Sequence, residues 1–177
     1  MSLRNLFSDS IVKKLRARLG RTPQPVSMVL LLRRSISLSK VKLSVAVEKA
    51  WNISLADPDS DNFVTQSGDK GLIYIKPHFI GLLNSPKPYL NVDPNKHART
   101  LPQPSQQQAW REHHAWISLD YLKGNIDPEL EYSVLARLAS RMLDDNCAGL
   151  YIPQENSFIP HDASLLNTLE QIAAGRS

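Results

Sequence analysis

The chain has a single cysteine, Cys147, among 177 residues. A disulfide needs a pair, so no bridge forms within the chain and disulfide-scaffold folds are excluded. The lone thiol favours a reducing compartment, and a cytoplasmic protein is expected. Long apolar runs are missing as well. The longest, Val26 to Leu32, is interrupted by Ser27 and stops at Arg33-Arg34, far short of the ~20 residues that span a bilayer. Neither phosphate-cradling pattern, G-x-x-x-x-G-K-[ST] or G-x-G-x-x-G, occurs. The G-x-S-x-G nucleophile elbow and the C-x-x-C and H-x-x-E-H zinc spacings are also absent. No cofactor or metal is expected.

Charge is present but unevenly spread. The formal net charge is +4. Residues 1–25 hold six basic side chains against the single acid Asp9, a net +5, which leaves −1 for residues 26–177. Phosphate binding needs its basic face on the folded part, so no nucleic-acid partner is expected. A chain that is 42% hydrophobic and 21% charged is globular in composition.

Leu3, Leu6, Phe7, Ile11, Leu15 and Leu19 recur at spacings of three to five. With Val12 they predict one apolar helical stripe, and Lys13, Lys14, Arg16 and Arg18 fall around the other side. Gly20 is a stop, and Pro23 and Pro25 forbid continuation. Residues 1–25 therefore read as a basic amphipathic helix and linker. It docks on its own domain or on a partner; the alternative is peripheral membrane contact through residues 1–22, because cationic amphipathic helices gain from anionic lipid. No uninterrupted apolar core supports a signal peptide.

Residues 26–177 read as one α+β domain. Val26 to Leu32 suits an interior strand. Ser37 is a candidate cap for a helix with Leu38, Val41, Leu43, Val45, Val47, Ala50 and Trp51 on a broad buried face. Phe63 to Gln66 and Leu72 to Ile75 read as strands joined by a glycine-bearing turn, and His78 to Leu83 extends the sheet. Residues 84–108 hold five of the twelve prolines and read as a strap lying on the sheet, since loops of this length are usually functional or disordered. Beyond it, Ala115, Ile117, Leu119 and Tyr121 alternate with His114, Trp116, Ser118 and Asp120. Asp127 and Pro128 open a helix with a core stripe of Leu130, Val134, Leu135, Leu138 and Met142. Short strands follow at Ala148 to Ile152 and Ser157 to Ile159. Asp162 caps a last helix with Leu165, Leu166, Leu169 and Ile172 on one side. Strand, helix, strand, strand thus occurs twice. The pattern predicts two β-α-β-β units forming a mixed or antiparallel sheet with helices on one face.

The candidate site is the polar face of the strand after the strap. His114, Ser118 and Asp120 share it and invite a hydrolase reading. Residues two apart on a strand stand roughly 6–7 Å from one another, too far for a nucleophile and its base, so no catalytic residue is assigned. His114, Trp116 and Asp120 are assigned instead as binding residues, with the tryptophan as anchor. His113 and His114 point to opposite faces and cannot chelate one ion. Asp57, Asp59 and Asp61 match the start of a calcium loop, but Asn62 stands where its turn glycine belongs. Cys147 reads as a small core residue.

Three segments carry a resemblance. Asn84-Ser85-Pro86-Lys87-Pro88-Tyr89, His113-His114-Ala115-Trp116-Ile117-Ser118-Leu119-Asp120 and Cys147-Ala148-Gly149-Leu150-Tyr151 resemble a bacterial domain-of-unknown-function family over roughly residues 26–170. The resemblance implies the strand and helix order above and no established activity. The function expected is a non-enzymatic binding or protein-interaction module. The alternatives are a hydrolase using the His114/Ser118/Asp120 face and a small-ligand sensor with a cleft between the two halves.

Overall fold

The computed structural model describes residues 25–91, 93–122 and 127–175. The helix expected at the N-terminus lies outside them. Among the described residues seven strands form one antiparallel sheet: β1 (Ser27–Leu32), β2 (Phe63–Ser67), β3 (Lys70–Ile75), β4 (His78–Ser85), β5 (Ala115–Tyr121), β6 (Cys147–Ile152) and β7 (Ser157–Pro160). Their spatial order is β2-β3-β4-β5-β1-β6-β7, and every pairing is antiparallel. The helices are α1 (Lys40–Trp51), α2 (Pro94–Ala98), α3 (Pro104–Glu112), α4 (Pro128–Met142) and α5 (Leu165–Ala173). The class is α+β, as expected.

The continuous apolar run of β1 is explained by its place. All six of its residues are buried, because both faces of this interior strand are covered. Met28, Leu30 and Leu32 face a core shared with Leu43 and Val47 of α1, Leu135 and Leu138 of α4, and Leu165 and Leu169 of α5. Val29 and Leu31 face a second core with Ala98 of α2, Ala109 and Trp110 of α3, and Tyr151 and Phe158. Helices therefore pack on both faces, which corrects the one-face expectation. The proline-rich strap does lie on the sheet. Its prolines open helices instead of preventing them: Pro94 and Pro104 occupy first-turn positions, where a missing N–H costs nothing.

Local signals gave the right elements with shifted details. Asp127 caps α4, accepting the Glu129 N–H at 3.1 Å. The cap of α1 is Ser39, two residues beyond Ser37, accepting from the Lys42 N–H. Asp162 binds the N–H and hydroxyl of Ser164 at 2.8 and 2.6 Å, and Ser164 is the residue that precedes α5. Val41 is 72% exposed and Val45, Leu130 and Leu166 are also exposed, so the stripes assigned to α1, α4 and α5 are each too wide. Lys76 bridges to Asp61 at 3.1 Å, and the Asp59 N–H closes on Asp57 at 3.0 Å, which makes the aspartate run an ordinary acidic turn.

Candidate functional site

β5 sorts its side chains as the alternation requires. Ala115, Ile117, Leu119 and Tyr121 enter the α1/α4/α5 core. Trp116, Ser118 and Asp120 point to the other face, where β1 lies alongside with Ser27 opposite Asp120 and Val29 opposite Ser118. The second helical layer sits over β1, β6 and β7 and leaves a pocket of about 250 Å³ at the Ser27 end of β1. Pro25, Ser27, Val29 and Tyr89 line it from the chain before β5, and Trp116, Ser118, Asp120, Pro153 and Gln154 from β5 onward.

The floor is a small polar network. Asp120 accepts the Ser27 hydroxyl at 2.5 Å through Oδ1 and the Ser118 hydroxyl at 2.8 Å through Oδ2. The second bond corrects the spacing argument. Strand geometry separates the backbones of residues 118 and 120, but both side chains lean along the strand and close the gap. β6 pairs with β1 only from Val29 onward, so the start of β1 lacks a strand partner on that side. Gln154 fills the place. Its Oε1 accepts the Ser27 N–H at 3.2 Å, and its Nε2 donates to the Pro25 carbonyl at 2.7 Å.

The wall is aromatic. Tyr89 and Trp116 stand edge to face, 5.4 Å between centroids and 84° between planes, a favoured arrangement for ring pairs. Tyr89 also meets Tyr151 at 5.4 Å. Burial pushes the Tyr89 phenol above its ordinary value, and the charges of Tyr151 and Asp120 add to the rise. His113 holds this segment in place. It is fully buried, its Nδ1 donates to the Trp110 carbonyl, and its Nε2 accepts the Tyr89 N–H at 3.0 Å. Accepting at Nε2 requires the neutral ring. Burial draws its pKa below the usual value, only partly opposed by the Trp110 carbonyl.

Of the three assigned binding residues, Trp116 and Asp120 meet in the pocket and His114 does not line it. His114 is exposed, and its N–H serves the sheet by donating to Leu32. Sequence reasoning missed Ser27, Tyr89, His113 and Gln154. Tyr89 ends a proline motif and Gln154 sits in a turn, so only the third dimension joins them to β5. Cys147 is a core residue, 1% exposed, its thiol pushed up to about 12 by burial. Among the described residues no group of His, Cys, Asp and Glu is placed to hold a metal ion, and no helix is long and apolar enough to cross a membrane. No protein-family model, curated protein or solved structure matches the chain.

Proposed function

We propose that the chain is a non-enzymatic binding module whose recognition site is the pocket between β1 and β5. One observation carries this reading. A half-buried tryptophan and a carboxylate share one concave site with Tyr89, while the carboxylate is held by two hydroxyls. Recognition sites combine apolar walls with a few fixed polar groups in this way, and tryptophan and tyrosine are frequent binding anchors. A protein partner in the cytoplasm is the occupant we favour, with residues 1–22 as a further contact to partner or membrane surface. The fold reading that goes with it is two β-α-β-β units, β1-α1-β2-β3 and β5-α4-β6-β7, in keeping with the bacterial domain family of unknown function.

The small-ligand sensor reading draws support from the same lining, because both halves contribute to it. The hydrolase reading has only the Ser118–Asp120 hydrogen bond, and the imidazole it needs, His114, stands outside the lining. A fragment screen by protein-observed NMR tests the proposal. Hits should cluster on Trp116, Tyr89 and Asp120 and vanish in Trp116→Leu with the fold intact. Hits confined to another surface would reject the site.

A further inference from the structure

We infer that this pocket is a cation site that takes a compact organic ammonium group, an inference that rests on the binding-module reading above. Three features point the same way. Among the described residues Asp120 is the only acidic or basic one in the lining. Among the described residues its side chain has two hydrogen-bond partners, the hydroxyls of Ser27 and Ser118, and no basic side chain forms an ion pair with it. A carboxylate offers about four acceptor positions, so roughly two remain for a ligand that donates or carries positive charge.

The walls select within the cations. Tyr89 and Trp116 both line the pocket, packed edge to face with planes 84° apart, so two aromatic rings border it. Ring faces carry negative electrostatic potential and attract ammonium groups, tryptophan most strongly. A small inorganic cation would want several oxygen ligands, and one carboxylate beside two rings does not supply them. A volume of about 250 Å³ admits a trimethylammonium head or the end of a lysine side chain. Pro25, Val29 and Pro153 complete the lining with apolar surface, which suits the alkyl part of such a group. The two hydroxyl bonds fix the carboxylate in advance, so little side-chain freedom is lost on binding.

Two sources share this chemistry, a free amine and the side chain of a partner protein. The test titrates the full-length chain, observed by NMR at its backbone amides and at the Trp116 indole N–H. The probes are choline, its uncharged carbon isostere 3,3-dimethylbutanol, and Nα-acetyl-lysine methylamide. Choline or the lysine derivative should perturb Trp116, Tyr89 and Ser27 and bind at least about tenfold more tightly than the alcohol, a difference of about 1.4 kcal/mol. The tighter of the two identifies the source. Asp120→Asn, which keeps the size of the side chain, should reduce the preference for charge about tenfold. Should that variant unfold, Trp116→Leu provides a second reading, because it keeps apolar bulk and removes the ring face. Equal binding of choline and the alcohol, unchanged by Asp120→Asn, would overturn the cation assignment and leave the binding-module reading standing. Pocket signals that respond to no probe at millimolar concentration would also overturn it, and the fragment screen then judges the module reading separately.

Discussion

The buried imidazole of His113 accepts the backbone N–H of Tyr89 at 3.0 Å, joining the end of α3 to the aromatic wall of the pocket. Burial holds this ring below its ordinary pKa of 6.5, whereas in the unfolded chain it takes a proton near that value. The unfolded chain therefore binds the proton more readily. Stability should be complete above about pH 6.5, fall as pH drops below it, and stop falling on this account once pH passes the lowered folded value. The slope approaches ~1.4 kcal/mol per pH unit for one such group. His78, lowered by burial and by the charge of Arg137, acts in the same window. Urea unfolding across this range should show a shallower slope for His113→Gln than for the natural chain. Identical slopes would mean that folding leaves the proton affinity of His113 unchanged.

Ser27 and Ser118 should prove coupled. Each hydroxyl donates to a different oxygen of Asp120, and bonds to a charged acceptor are worth about 1.5–3 kcal/mol. Ser27→Ala should cost that much in chemical denaturation. The double variant Ser27→Ala/Ser118→Ala should depart from additivity by roughly 0.5 kcal/mol or more, because both act through one carboxylate. Strict additivity would show that the two bonds are independent.

Gly149 lies where β6 meets β7, opposite Pro160. A Cβ there would stand 2.6 Å from the Ile159 carbonyl oxygen and 2.5 Å from the Phe158 ring. The carbonyl is backbone and cannot swing aside, so Gly149→Ala must move β7 itself. Overpacking of this kind costs about 1–3 kcal/mol. Hydrogen exchange should quicken at the amides of β7 more than in β5. Uniform loss of protection would point instead to global destabilisation.

Leu138 and Val41 should behave as opposites although both repeat with helical period. Leu138 is fully buried, and Leu138→Ala should lose about 2–5 kcal/mol. Val41 is 72% exposed, and Val41→Ala should fall within about 0.5 kcal/mol of the natural chain. Calorimetry of both variants checks the pair.

That contrast marks how far sequence reasoning reached. Period-two alternation placed β5 and its inner face correctly, because a strand has two sides and one was plainly apolar. On α1 the apolar residues ran round more than half the helix, and periodicity could not say which of them the sheet would cover. The proline strap misled for a related reason. Five prolines made residues 84–108 read as an irregular strap, yet Pro94 and Pro104 each begin a helix, and α2 and α3 supply the second layer. Trp116 and Asp120 were legible as a shared strand face. Tyr89, Ser27 and Gln154 were not, since they come from three separate stretches of chain and converge only through the pairing of β1 with β5 and the turn after β6.

The interior position of β1 in the sheet has a cost during synthesis. Its neighbours are β5 and β6, which follow it in the chain with β6 beginning only at Cys147. A ribosome adding roughly 5–20 residues per second needs on the order of 6–25 s to get from Leu32 to Cys147. Until then Met28-Val29-Leu30-Leu31-Leu32 lacks its β6 ladder partner and a complete apolar layer over it. The nascent chain thus presents a wholly apolar stretch early and shields it late, which exposes that stretch to aggregation in the interval.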